Sequence, residues 1–427
     1  MSSQKRDFEG TETVDDKSKQ TAPVHHCNEE LLRLFYANLF PAEEFVQWLT
    51  YAHGKDGSLA EDFTKRELSF TLPGDIYCRY QGFENAASLR KDLVSKTPMK
   101  IDIGGVYSEP MFRKEFQSFK PLERELIFDI DMDDYSPIRH CCEGASICPK
   151  CWKFMTNAMV VLKDVLTNEF GFKHILFVYS GRRGVHIWVC DHRARRLTDS
   201  QRKAIVDYLS FSSISNTMDY SLIHCAELLR PFFEEFMIAE EGQDVLRYDA
   251  NLDVHEVTGG KRELLQKKYQ KQRFLPLLEC LPSNFSQFGK LETYLKSDRS
   301  PIEKWESIQG LLRDSSDYTI EKIILTYTYP RLDRNVSLLR HHLLKSPFIV
   351  HPKSCRFCAP IDPDHVDTFD YQDVPFIDEV FENEEAMQRY KDSIAMFRKK
   401  FLEPLRRDCD LEEAKKQAKE ATETELY

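Results

Sequence analysis

Leu126-Ile127-Phe128-Asp129-Ile130-Asp131 sets two carboxylates inside an apolar run whose branched and aromatic side chains favour a strand over a helix. Side chains alternate across a strand, so Ile127, Asp129 and Asp131 share one face and Leu126, Phe128 and Ile130 the other. Two aspartates on one face repel unless something neutralises them, and a divalent cation does so well. For Asp-x-Asp alone, an edge strand with a solvated acidic face competes with that reading. The residues on either side shift the balance.

Immediately downstream, Cys141, Cys142, Cys148 and Cys151 bring four thiols together, and Cys148-x-x-Cys151 has the spacing of a tetrahedral Zn²⁺ half-site. His140 is an alternative to one of the adjacent thiols. With four protein ligands the site is structural, closed to catalysis. Met155, Met159, Leu162 and Leu166 then mark one face of a helix that Gly171 stops. Two buried strands follow, Ile175 to Tyr179 and Val185 to Cys190. Their link is Ser180-Gly181-Arg182-Arg183-Gly184. Glycines let backbone approach a ligand, and arginines fork onto phosphate oxygens. Ser180 and backbone N–H groups complete an anion nest, with His186 just inside the second strand. Spacing does not decide which arginine faces phosphate and which pairs with an acid, and a solvated hairpin competes with both.

Upstream, Lys65 to Gln81 predicts two strands around Pro73-Gly74, carrying Glu67 and Arg79 as exposed charges or halves of an ion pair. Met99 to Tyr107 is a third extended piece, carrying Asp102. Two core helices precede these, between Glu29 and Tyr51, the second beginning at Pro41. Residues 1–28 read as a disordered tail. Residues 195–322 read as an all-helical subdomain, with a helix starting at Pro231 and another over Ile302 to Leu312. Strands are expected to resume at Ile323 to Tyr329 and to lead into Asp333. Lys345 and His351 then form a basic patch, and Cys355 and Cys358 are read as free thiols. From 383 the chain becomes a charged helical tail.

The 427 residues carry a net charge of −11, the wrong sign for holding nucleic acid by bulk electrostatics. No apolar run approaches the ~20 residues of a membrane span, and no signal-peptide core is present. Twelve cysteines without such a signal read as reduced thiols and metal ligands, in cytosol or nucleus. Two strand carboxylates, a later aspartate, a phosphate-type loop and scattered Lys and His are the parts of two-metal phosphoryl transfer from a triphosphate.

Seven segments in order (SFTLPGDIYCRYQ, KIDIGGVYS, LIFDIDMDDY, RHCCEGASICPKCW, GFKHILFVYSGRRGVHIWVCD, YPRLDRNVS and HLLKSPFIVHPK) resemble the catalytic small subunit family of eukaryotic DNA primase, from about Leu31 to Phe369. The resemblance implies an α+β prim-pol core with a mixed β-sheet flanked by helices, a zinc motif at 140–152 and an inserted helical subdomain. The core is split as 29–194 and 323–382. It implies Asp129, Asp131 and Asp333 as ligands of two Mg²⁺ or Mn²⁺ ions, with Glu67 beside them as a catalytic residue. It assigns Arg79, Asp102, Ser180, Arg182, Arg183, His186, Lys345 and His351 to the nucleotide, and Cys141, Cys142, Cys148 and Cys151 to Zn²⁺. The implied activity is synthesis of RNA primers from ribonucleoside triphosphates on single-stranded DNA. The implied setting is the nuclear primosome, with an iron–sulfur large subunit and DNA polymerase α. A repair-type primase-polymerase and a non-catalytic replication scaffold are the alternatives. Leu338-Leu339-Arg340 departs from the family pattern, and Asp133 adds a carboxylate expected to be solvated.

Overall fold

The computed structural model describes residues 25–51, 62–112, 119–211, 218–254, 261–282, 284–313 and 318–425. Two antiparallel sheets frame the site. The first contains β1 (Arg66–Leu72), β2 (Ile76–Gln81), β3 (Lys100–Tyr107) and β4 (Pro121–Glu123) in the order β2-β1-β3-β4. The second contains β5 (Leu126–Asp131), β6 (Ile175–Tyr179) and β7 (Gly184–Val189). Two late strands, β8 (Leu344–Lys345) and β9 (Pro360–Ile361), add to β3 and β6, which makes the second order β5-β7-β6-β9. The expected single mixed sheet is thus two sheets, and every ladder among the described residues is antiparallel.

β5 is an edge strand by pairing, yet its outer edge is covered. Asp333 N–H donates to Asp129 C=O at 3.0 Å, and Ser337 Oγ donates to Ile127 C=O at 2.5 Å. The short helix Arg334–Leu338 thereby closes the edge that would otherwise invite another strand. Leu126, Phe128 and Ile130 are fully buried.

A buried charge network joins the two sheets. Glu125, one residue before β5, accepts from both terminal nitrogens of Arg66 at 3.0 Å and from Tyr51 Oη at 2.6 Å. Arg124 bonds the same carboxylate at 3.2 Å and the carbonyls of Ile103 and Gly104 at 3.0 Å. Arg202 reaches the Glu125 carbonyl at 3.1 Å. In sequence these residues look like ordinary surface charges.

Two expectations about single elements are corrected. Ile323 to Tyr329 is not a strand but belongs to the helix Thr319–Thr328, with Ile320, Ile323, Ile324 and Tyr327 at helical spacing. That helix is so deeply buried that its apolar run is nearly continuous, which hides the period. Helical structure from the 195–322 segment therefore continues to Thr328. Pro231 does not start a helix: it lies near the end of Tyr220–Phe232, which Asp219 caps, and a widened turn over Phe233–Ile238 follows. A proline removes one helical N–H, and such a turn absorbs the misfit.

Residues 1–24 of the expected tail lie outside the described residues. His25 stacks on Phe376 with ring centroids 3.4 Å apart and bonds Asp378 at 3.2 Å, and Asn28 caps the helix Glu29–Asn38. The C-terminal segment is helical as expected, but Phe397, Phe401 and Leu402 are buried, and Trp48 meets both phenylalanines edge-on. No described helix is long and apolar enough to cross a membrane.

Candidate active site

β5 aims Asp129 and Asp131 to one side, and register with β7 sets His186 opposite Asp129 and Gly184 opposite Asp131. A Cβ at Gly184 would collide with the Ile130 carbonyl, so the crossing requires glycine. Asp333 joins through its backbone bond to Asp129. It follows a helix and a short extended link rather than a strand. Its Oδ1 caps the next helix through Asn335 N–H at 2.9 Å.

Burial, then Asp131 and Asp333, raise the Asp129 carboxyl to about 7, with Lys345 opposing. Asp134, which carried no signal in the sequence, belongs to the same cluster: burial, Asp131 and Asp333 raise it too. His342 is a further neighbour of Asp333, with its pKa lowered by burial. A carboxylate group this mutually repulsive fits a divalent cation. Arg183 neutralises part of the cluster, because its Nε donates to Asp131 Oδ1 at 2.8 Å while Nη2 pairs with Asp133. Asp133 is exposed, as expected, but it sits in the turn Met132–Tyr135 rather than on the strand face and pairs there with Arg183.

The Ser180–Gly184 link is a turn closed by two hydrogen bonds. Ser180 N–H donates to Gly184 C=O at 2.9 Å, and Gly184 N–H donates to Ser180 Oγ at 3.1 Å. Gly181 has φ +84°, and a Cβ there would lie 2.7 Å from His351 Cβ. Ser354 Oγ donates to Gly181 C=O at 2.5 Å; Cys358 Sγ and Lys345 Nζ approach Ser180 C=O at 3.2 and 3.5 Å. The loop and the basic patch thus form one wall. Arg182 has no ion pair among the described residues.

His186 and His351 are neutral at this wall. Burial, then Lys345, with His351 acting on His186 and Arg182 on His351, pushes each imidazole down to about 3. His351 Nδ1 accepts Lys353 N–H at 3.2 Å, which leaves the ring proton on Nε2 as a donor. His186 Nε2 lies 3.6 Å from Asp129, and its buried Nδ1 has no protein partner.

On the first sheet, Asp102 pairs with Lys345 across the β3–β8 ladder, and its Oδ2 is 3.3 Å from Ser69 Oγ. Burial raises its pKa, with Ser69 and Lys345 opposing. Register shifts flank Glu67 and Ser69, so that Arg79 and Tyr80 together oppose Ser69, with Tyr80 at φ +57°. This bulge turns Arg79 onto buried Glu67, which it clasps at 2.9 and 3.2 Å. Both Glu67 oxygens are therefore occupied, as in the ion-pair reading of the sequence.

The four zinc-type cysteines converge as their spacing predicts. His140 is not a member; its N–H donates to buried Gln243 Oε1 at 2.6 Å, and Gln243 Nε2 donates to Cys141 Sγ at 3.3 Å. Gln243, from the helical region, had no sequence signal. Four thiols in this arrangement fit Zn²⁺. Metal analysis should find about one zinc per chain. Cys148→Ser should release it and unfold the loop joining β5 to the helix Pro149–Asn168, measured as zinc loss with new protease sensitivity. A zinc-free native protein would refute the assignment. Cys355 and Cys358 face different neighbours, His25 C=O at 3.6 Å and Ser180 C=O at 3.2 Å. Arg340, in the divergent Leu338-Leu339-Arg340 segment, pairs with Asp199 at 2.8 Å.

Residues 128–363 match the family model for the DNA primase small subunit. The chain is 35% identical over 393 residues to the DNA primase small subunit of Drosophila melanogaster, covering 84% of this chain and 83% of that one. It is 35% identical over 392 residues to that of Schizosaccharomyces pombe, covering 86% and 79%. Among solved structures, the polymerase domain of Mycobacterium tuberculosis ligase D in complex with DNA aligns over 84% of this chain and 93% of that one, with TM-score 0.36 and 8% identity.

Proposed function

Because the chain belongs to the DNA primase small subunit family, we propose that it starts RNA primers from two ribonucleoside triphosphates on single-stranded DNA. Asp129, Asp131 and Asp333 would hold two Mg²⁺ or Mn²⁺ ions. Bound there, such ions would screen the triphosphate and favour ionisation of the attacking hydroxyl. The observation that best supports this reading is the gathering of Asp129, Asp131 and Asp333 on and beside β5, next to the wall formed by the Ser180–Gly184 turn, Lys345 and His351.

The remaining roles follow from charge and donors. Arg182, Lys345 and His351 Nε2–H serve the β- and γ-phosphates, which the carboxylate side would repel. Asp102, poised between Ser69 and Lys345, takes ribose hydroxyls. Glu67 acts through Arg79, positioning it rather than exchanging protons. The acidic net charge of −11 fits a subunit that relies on others to hold the template, in nuclear assembly with an iron–sulfur large subunit and DNA polymerase α. A single-stranded template, divalent metal and ribonucleotides alone should yield short RNA. Extension of supplied 3′ ends with no synthesis on bare template would favour a repair-type enzyme instead.

Arg182→Ala should weaken triphosphate binding by about 1.5–3 kcal/mol, the range for charge-assisted hydrogen bonds. Arg182→Lys should restore only part, since an ammonium does not fork onto two oxygens. Nucleotide KM and dinucleotide yield check this; unchanged values would remove Arg182 from the phosphate site.

A further inference from the structure

Arg183 is claimed by both halves of the site. It sits on the phosphate-type loop, yet its guanidinium lies across Asp131 and Asp133. Asp131 Oδ1 accepts Arg183 Nε at 2.8 Å and Asp133 N–H at 2.9 Å, so the chain's own donors occupy that oxygen. On the proposed reading of Asp131 as a cation ligand, on which this inference rests, guanidinium and dication compete for one carboxylate and repel each other. The loop backbone is clamped by Ser354, Cys358 and Lys345, so any exchange of partners falls to the side chain. Arg183 itself is 19% exposed and its two partners 44% and 45%, so the pairing is reached from solvent on its carboxylate side. A triphosphate offers it paired oxygens that suit its fork.

We infer that Arg183 is the resident counter-ion of the cation-free site, parked on Asp131 and Asp133, and that it leaves Asp131 for the triphosphate. Cation and nucleotide binding are thereby coupled through one side chain. The coupling is reciprocal: whichever ligand draws Arg183 off Asp131, or displaces it, prepares the site for the other. Asp133, outside the proposed ligand set, fixes how firmly the arginine is held.

The test uses the full chain and binding, not turnover. Mn²⁺ is titrated with free Mn²⁺ followed by electron paramagnetic resonance, with and without a non-hydrolysable α,β-methylene ATP. Arg183→Gln should tighten Mn²⁺ binding without nucleotide by roughly fivefold or more, and the nucleotide's effect on Mn²⁺ should shrink. Unchanged or weaker Mn²⁺ binding would overturn the inference, leaving Arg183 to orient Asp131. Asp133→Asn gives an independent arm. It should improve nucleotide binding in EDTA more than Asp134→Asn, which removes the same charge from the same turn but has no ion pair with Arg183. Equal gains would overturn the parking at Asp133. No Mn²⁺ binding by the wild type, with or without nucleotide, would overturn the reading of the aspartates itself. Mn²⁺ binding that Arg183→Gln fails to strengthen overturns the coupling alone.

Discussion

Asp129→Asn is expected to lower primer synthesis by roughly a thousandfold or more while leaving the metal-free protein at least as stable as the wild type. The two halves of that expectation have one cause. Asp129 is half-buried among carboxylates, and its pKa of about 7 lies far above the ordinary value of 3.8. An acid whose folded pKa is raised favours the folded state fully below its unfolded pKa, and that contribution is lost as pH rises through the folded value. Between about pH 4 and pH 7 the metal-free wild type should therefore lose stability that Asp129→Asn keeps. Above pH 7 the difference should level off, at no more than a few kcal/mol. Added Mn²⁺ should reverse the order by stabilising only the wild type. Denaturant midpoints across this range, with and without Mn²⁺, together with product yield, check the prediction. A variant that keeps near-normal synthesis, or a wild type indifferent to Mn²⁺, would remove Asp129 from the metal site.

Glu125→Ala is expected to destabilise the fold by about 3–5 kcal/mol, the cost of leaving buried charges without their partner. Arg66 and Arg124 would both lose their carboxylate, and the link between the two sheets would go with it. Burial alone would raise the Glu125 carboxyl, but Arg66 and Arg124 outweigh it and hold the group down to about 2. The sign is opposite to that of Asp129. Stability from a depressed carboxyl is present above its unfolded pKa and lost as pH falls through the folded one, so this contribution should disappear between about pH 4.5 and pH 2. Urea denaturation at pH 7 and pH 3 measures both; a loss below about 1 kcal/mol at pH 7 would mean that the network is dispensable.

This network also shows where the sequence stops being legible. Arg66, Arg124, Glu125 and Arg202 carry no sign of burial, because a charged residue is ordinarily exposed and its partner lies far along the chain. β5 could be read because alternation is a local rule, and the Ser180–Gly184 turn because glycine and arginine each have a local reason to be there. Asp333 could not be reached by spacing; it lies some two hundred residues after Asp129, and only the resemblance of its segment singled it out. The preceding helix was taken for a strand because deep burial fills the positions that would show a 3.6-residue period. The choice between Arg182 and Arg183 depends on which side chain finds Asp131 and Asp133, a matter of rotamer rather than pattern. Gln243 enters the zinc-type site by tertiary contact alone, whereas Asp134 reaches the cluster through the local turn Met132–Tyr135 that Asp131 caps.

The central claim is that the carboxylate cluster and the cationic wall together initiate chains from two triphosphates. A primer-free single-stranded template incubated with divalent metal and γ-³²P-labelled ribonucleoside triphosphate tests it most directly. Initiation leaves the first nucleotide's γ-phosphate on the product, whereas extension releases every γ-phosphate in pyrophosphate. The account predicts labelled dinucleotides and short RNAs from the wild-type chain and none from Asp129→Asn. Unlabelled products alone, or label retained equally by the variant, would contradict it.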